Sequence, residues 1–232
     1  MKTMKFIALS LFVALGWAAS TQSISAQDKQ QFEDQKAIIK QRREMAKLTK
    51  KSVEANAWKE AKKAAKEMKK AGWKAMPGSP TLETQMNDYL LRRYMLNGSF
   101  PKYLLGEGRA SAKLPDAARK HALANARVEL AGSISFEVTA LTEQSTSNNA
   151  YTQEEQETLD KMMHTNKQII EQKIGRTEII MEAYRVVGNS TEVMVRISAD
   201  GSVSKAAILS MFGEDQKSLR DKLEKTMNES AE

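Results

Sequence analysis

Three short stretches of this chain are predicted to be β-strands, because apolar and polar positions alternate in two of them and the third is joined to one of these by a tight turn. The stretches are 103–110, 178–187 and 191–199, and the Gly-Asn-Ser sequence at 188–190 is typical of a hairpin turn. Elsewhere apolar residues recur every three or four positions, as on one face of a helix. The order after residue 100 is strand, helix, helix, hairpin, helix. It predicts an α+β fold with a small, largely antiparallel sheet packed by helices.

The predicted strand at 103–110 carries almost no side chain on one of its faces. Gly106 and Gly108 lie on that face, so a helix can approach the strand closely. The helix that follows has a ridge of small residues spaced four apart: Ala118, Ala122 and Ala126. We expect this strand and helix to form the centre of the core. A dinucleotide motif is the weaker interpretation of the two glycines, because Ser111 stands where its third glycine would be.

Capping residues mark where three further helices begin. Ser79 as N-cap with Pro80 behind it predicts one helix, and the capping box of Thr152 and Glu155 predicts another. The last helix is expected from about Ser204. It carries a single apolar stripe, formed by Ile208, Phe212, Leu219, Leu223 and Met227.

Residues 28–76 have the composition of a long basic helix. They hold 15 lysines and arginines against 7 acidic residues, whereas residues 77–232 hold 19 against 22. Within residues 28–76 no proline or glycine occurs before Gly72, and this glycine suits the end of the helix. The apolar stripe is thin, so we expect the second half of the helix to dock on a domain and the first half to project. This predicts a basic helical arm at 27–76 and an α+β domain at 77–232.

The lysines of this arm are the candidate binding residues. We expect an anionic surface to be contacted by Lys59, Lys62, Lys63, Lys66, Lys69, Lys70, Lys74, Trp58 and Trp73. Lysines attract phosphates and carboxylates, and tryptophan rings favour a membrane interface. Two alternatives stay open. The lysines are a solvated helix face, or the helix pairs with a protein partner or with a second copy in a homo-oligomer.

The first 26 residues are typical of a secretory signal peptide. Lys2 and Lys5 precede an apolar run at 6–19, and small residues at 23–26 suit cleavage before Gln27. The run is shorter than the roughly 20 residues that cross a bilayer. We therefore expect an exported protein, periplasmic, associated with the outer membrane or secreted. Its mature form is expected to have no transmembrane span and no nucleic-acid partner.

Motifs for catalysis or metal binding are missing from the sequence. Without cysteine the chain has no disulfide, no thiol nucleophile and no lipid attached to a cysteine. The two histidines, His121 and His164, need carboxylates from elsewhere to form a zinc site. Glu154, Glu155 and Glu157 lie at a predicted helix start, where negative charge favours the helix dipole. We expect no enzyme, no cofactor and no metal.

Two short segments resemble a known family. Residues 103–110 read Tyr-Leu-Leu-Gly-Glu-Gly-Arg-Ala and residues 126–131 read Ala-Arg-Val-Glu-Leu-Ala. These motifs, with the later strand pair at 184–198, resemble the twenty-kilodalton surface lipoprotein (LPP-twenty) domain family of Gram-negative bacteria over about residues 100–225. The resemblance implies an α+β domain in the cell envelope, without known catalysis or cofactor. The chain departs from the family in lacking the lipid-acceptor cysteine.

Together these features predict a non-enzymatic envelope protein, an interaction or assembly module of unknown molecular role whose basic helix reaches to a partner, either an envelope protein or an anionic envelope polymer. The alternative is a binder of anionic envelope polymers or lipids through the lysine-rich helix. The third hypothesis is a glycan hydrolase, for which the sequence offers carboxylates without a recognisable pairing.

Overall fold

A computed structural model of the 232-residue chain describes residues 36–45, 47–146, 151–165, 170, 172–174 and 176–229. The predicted signal peptide at 1–26 lies outside the described residues. So do residues 27–35 of the predicted arm.

The described residues form helices separated by short strands. The helices are α1 at 36–45, α2 at Lys50–Lys70, α3 at Leu82–Tyr94, α4 at Pro115–Thr146, α5 at Gln153–Thr165, α6 at Gly201–Leu209 and α7 at Lys217–Asn228. A 3₁₀ turn at Glu214–Gln216 precedes α7. The strands are β1 at Lys74–Ala75, β2 at Leu96–Asn97, β3 at Phe100–Pro101, β4 at Tyr103–Ala112, β5 at Glu178–Val187 and β6 at Ser190–Asp200.

Four of the strands form one antiparallel sheet in the order β1, β5, β6, β4. β5 and β6 are joined by the predicted tight turn, in which Gly188 adopts a φ of 58°. This backbone conformation favours glycine. β2 and β3 form a separate small ribbon. The α+β class and the antiparallel sheet packed by helices are confirmed.

The edges of the sheet are short or covered. β1 adds two residues to the outer side of β5, where Lys74 pairs with Tyr184. Further along β5, the amide of Glu182 donates to the side-chain Oε1 of Gln85 in α3 at 2.7 Å. β4 has β6 as its sheet neighbour, and Asn125 of α4 donates to the carbonyl of Arg109 at 2.9 Å. Side chains of helices thus satisfy backbone groups that a bare strand edge would expose.

Helix α4 lies directly on β4, as the glycine and alanine pattern predicts. A β-carbon at Gly106 would overlap the carbonyl oxygen of Ala126, and one at Gly108 would overlap that of Ala122. The three alanines of the ridge have no exposed surface: Ala118, Ala122 and Ala126. The helix backbone therefore rests on the strand backbone without intervening side chains.

The face of the sheet under α4 contributes to the larger apolar core. Val193, Val195 and Ile197 of β6 are completely buried there. They join residues of α4, α5, α6 and α7 in one cluster, among them Leu130, Ile134, Leu159, Ile208 and Leu223. The stripe predicted near the C-terminus thus packs on this core.

The opposite face of the sheet is also covered, although the alternation along 191–199 by itself predicts one buried face and one that is wet or lightly covered. Met194 is 2% exposed and Ser198 3% exposed on that face. Helices α3 and α2 pack over it with a second apolar cluster, which includes Met181 and Ala183 of β5. The sheet is therefore the middle of three layers. The alternation along β6 could not reveal this, because its second face is lined by residues that also tolerate solvent.

The predicted long basic helix is interrupted, and its first part does not project. Thr49 caps α2, with its hydroxyl accepting from the amide of Ser52 at 3.4 Å. α1 packs on the domain through Arg42, whose Nη1 lies 2.7 Å from Glu137 Oε1 of α4. Both side chains are less than 10% exposed, at 7% and 9%. The sequence did not reveal this pair, because its members lie 95 residues apart.

Two other helix boundaries differ from the prediction and one agrees. α3 begins at Leu82 with Thr81 as N-cap, since the Thr81 hydroxyl accepts from the amide of Thr84. The single last helix is in fact α6 and α7, separated near Gly213. The capping box at α5 is confirmed: Thr152 and Glu155 exchange hydrogen bonds of 2.8 and 3.2 Å.

Replacing Gly108 by alanine should destabilise the fold by about 3 kcal/mol, because the new methyl group would overlap the backbone of α4. Urea unfolding followed by circular dichroism measures the change. The matched control is Gly213→Ala, where the methyl group meets the flexible carboxylate end of Asp215. Equal stability of the two variants would contradict the close approach of α4.

Candidate functional site

Helix α2 is anchored by a line of small residues. Ala57, Ala61 and Ala65 are four residues apart and have no exposed surface. Because their side chains are short, α2 lies close to α3. Tyr94 of α3 donates a hydrogen bond of 2.6 Å to Glu60, which ties the two helices together further. The opposite face of α2 is fixed in place and open to solvent.

That open face carries the predicted lysines. All of them are exposed, and six lie on α2: Lys59, Lys62, Lys63, Lys66, Lys69 and Lys70. We call these six residues the lysine face. Lys74 follows in β1 and is also exposed. The structure thus brings the predicted lysines of the helix together on its exposed surface, with Lys69 at the border with α3.

Part of the lysine face is neutralised by nearby acids. Lys69 lies 2.6 Å from Glu83 and Lys70 lies 3.0 Å from Glu67. The hydrogen bond from Lys69 lowers the pKa of Glu83 below its usual value. Within the described part of the chain, Lys59, Lys62 and Lys66 have no carboxylate within 4.0 Å. The uncompensated charge is therefore concentrated on the middle of α2.

The two predicted tryptophans have different surroundings. Trp58 is 41% exposed on α2, and the ammonium group of Lys62 lies 5.1 Å from its ring centre. Trp73 is 5% exposed, and its ring lies between the guanidinium groups of Arg185 at 4.7 Å and Arg109 at 5.8 Å. Trp73 is a core residue, so its expected role as an interfacial anchor is corrected. Trp58 is the tryptophan that a partner of α2 can reach.

A cluster of charged residues lies between the sheet and α3. Glu107 of β4 accepts from Arg196 at 2.7 Å and from Arg109 at 2.8 Å. The guanidinium of Arg196 stacks 4.1 Å from the ring centre of Tyr89, and its Nη1 lies 3.1 Å from the sulfur of Met86. Burial alone would raise the pKa of Glu107, but the two arginines outweigh it and lower that pKa. Each charge in the cluster has an opposite charge or an aromatic face beside it.

The sequence contains one local signal for this cluster. Glu107 and Arg109 are two residues apart in a strand, so they share a face, and Arg196 occupies the same face of β6. Charges on a strand face that points inward require partners. Pairing Arg196 with Glu107 depends on strand register, which local sequence does not specify.

Glu155, one of the carboxylates considered for catalysis, has a structural role. Glu155 caps α5 and lies 2.6 Å from Lys222, an interaction that lowers its pKa. His121 is exposed on α4, and the side chain of His164 lies outside the description. Over the described ranges, no three histidine, aspartate or glutamate side chains come close enough together to hold a metal ion.

Comparisons of the chain with protein families, with characterised proteins and with solved structures find no match. None of the described helices combines the length and the apolar character needed to cross a membrane.

Trp73→Ala should destabilise the protein by about 3–5 kcal/mol, because the ring fills the second core and separates two arginines. The matched control is Trp58→Ala, which should change stability by no more than about 0.5 kcal/mol at its exposed position. Thermal and urea unfolding of the two variants test this pair. Similar losses for both would show that Trp58 also belongs to the core.

Glu107→Gln should cost about 2 kcal/mol at neutral pH, since it leaves Arg196 with no carboxylate beside it. The folded protein holds the pKa of Glu107 low, so its ionised form stabilises the fold above the unfolded-state pKa of about 4.3. That contribution is lost as the pH falls through the lower folded-state pKa. Urea unfolding at a series of pH values should therefore show the difference between wild type and variant shrinking in acid.

The control for this pH series is Glu224→Gln, which removes an exposed carboxylate from α7. Its stability should follow the wild type at every pH. A Glu107→Gln variant as stable as the control at neutral pH would contradict the assigned ion pairs.

Proposed function

We propose that this chain is an exported, non-enzymatic protein of the cell envelope, and that it acts by binding anionic envelope polymers or lipids through the lysine face of α2. The observation that carries the proposal is that Lys59, Lys62 and Lys66 are exposed and that, among the residues the structure describes, none of them has a carboxylate within 4.0 Å. Phosphates and carboxylates attract such a surface, and the attraction falls as salt screens it.

The way α2 is held supports binding by a preformed surface. Buried alanines and the hydrogen bond between Tyr94 and Glu60 fix the helix backbone before any ligand arrives. Binding then orders lysine side chains but does not have to order the helix, which lowers its entropic cost. Lys59, Lys62 and Lys66 lie three and four residues apart, so the helix rise places them about 4.5–6 Å apart along its axis. A ligand with repeated negative charges matches this spacing.

A protein partner is the second candidate, in keeping with an interaction or assembly module. Trp58 is exposed beside Lys62, and tryptophan is enriched in protein interfaces. The resemblance of residues 103–110 and 126–131 to the surface lipoprotein domain supports an envelope location for either candidate. The proposal assigns the protein no catalytic step and no cofactor.

Replacing Lys59, Lys62 and Lys66 together by glutamine should weaken binding about tenfold at low salt, because it removes the uncompensated charges of the lysine face. The probes are lipopolysaccharide, cell-wall sacculi and vesicles that contain phosphatidylglycerol. Binding by the unaltered protein should also fall steeply as salt rises.

The matched control removes three exposed lysines from other helices, as K161Q/K217Q/K225Q, and gives the same net charge. It should bind like the unaltered protein. Equal losses of binding in both triple variants would show that net charge, and not the lysine face, determines binding. Binding that persists at high salt would contradict the electrostatic proposal.

Cross-linking in intact cells separates the two candidates. A single stoichiometric protein that is captured by the unaltered chain and lost with Trp58→Ala would establish the adaptor function. Recovery of lipid or cell-wall material alone would support the anionic-surface function.

A further inference from the structure

Three aliphatic residues are exposed at one end of the sheet. Leu114 and Val186 are each 70% exposed, and Val187 is 53% exposed. Val186 and Val187 end β5 immediately before the hairpin turn, and Leu114 lies in the connection from β4 to α4. We call these three residues the apolar tip.

Strand register places the end of β5, which carries Val186, at the same end of the sheet as the end of β4, which precedes Leu114. Thr191 of β6 is paired with Val186 on one side and with Ala112 on the other. Paired residues of antiparallel strands are about 5 Å apart, so Val186 and Ala112 are separated by about 10 Å. Leu114 follows Ala112 by two residues. Among the described residues, the other exposed aliphatic side chains lie elsewhere in the chain: Val128 in α4, Val203 in α6, Leu48 before α2 and Ile179 at the far end of β5.

Three exposed lysines lie near members of the apolar tip along the chain or in the strand register. Lys113 precedes Leu114, and Lys74 is paired with Tyr184, two residues before Val186. Lys120 lies in the second turn of α4. All three lysines are exposed. Asp116 is the acidic residue of the first turn of α4, and Glu192 in β6 is held by Arg185 at 2.6 Å.

We propose that the apolar tip inserts into the interfacial layer of a bilayer that contains anionic lipids. Aliphatic side chains at the projecting end of a hairpin can leave water by entering the acyl boundary, and the lysines around them attract the phosphates. Lysine stems also reach outward from such a boundary to the headgroups. Protein interfaces favour aromatic residues and arginine instead. The proposal uses other residues than the lysine face and stands without it.

A fluorescent label at the tip tests the insertion. The chain has no cysteine, so Val187→Cys gives a single site for an environment-sensitive dye such as NBD. The protein used comprises residues 27–232, which include every described residue and omit the apolar run that would itself bind lipid. Val128→Cys is the matched control, because Val128 is 49% exposed and lies about 20 Å along α4 from its start.

The label at 187 should shift its emission to shorter wavelength on vesicles of phosphatidylethanolamine with phosphatidylglycerol, and the label at 128 should not. Vesicles of phosphatidylcholine alone should give little shift at either position. No shift at 187, or equal shifts at both positions, would overturn the proposal. A shift at 187 without vesicles that grows with protein concentration would also overturn it, in favour of a second copy covering the tip.

A second variant tests the same surface without a label. L114S/V186S/V187S should reduce binding to the anionic vesicles about tenfold, equivalent to about 1.4 kcal/mol. Unchanged binding by a folded triple variant would overturn the proposal, and the label experiment decides it if that variant fails to fold. A K59Q/K62Q/K66Q protein that retains the shift at 187 would support the proposal, because it would show that the apolar tip inserts without the lysine face.

Discussion

The backbone contact between α4 and β4 is the constraint on which the rest of the structure depends. At Gly106 and Gly108 no side chain separates strand from helix, and buried alanines complete the contact from the helix side. Interiors are packed densely, so a contact made by backbone atoms permits little adjustment. It sets the position of α4 on the sheet. The larger side chains further along α4, such as Leu130 and Ile134, then meet β6 and the C-terminal helices.

The elements that could be predicted from the sequence are those with local signals. The two glycines facing one way and the alanines at helical spacing predict the central contact, because each pattern lies within one element. The hairpin was predicted for the same reason, since Gly188 and its neighbours specify a tight turn. The exposure of the lysines on α2 also follows from the spacing of its alanines. These features require no knowledge of which distant segments meet.

Features that depend on distant segments could not be predicted. The pairing of Arg42 with Glu137 fixes α1, yet nothing near either residue indicates the other. Trp73 has the sequence context of an exposed residue after a basic helix, but two arginines from separate strands enclose its ring. The cover on the second face of the sheet also depends on distant segments, because α2 and α3 precede in the chain the strands that they cover. The charged residues inside this layer are explained by strand register, which places Glu107 beside Arg196.

The short strand β1 and the side chains of Gln85 and Asn125 have a consequence for a chain that is expected to fold after export. A long bare strand edge can recruit the edge of another molecule and start aggregation. Here β1 and Gln85 occupy backbone groups along β5, and Asn125 occupies a carbonyl of β4. Each of these contacts removes a backbone group that a neighbouring copy could otherwise pair with. At high protein concentration this lowers the chance that one molecule extends the sheet of another.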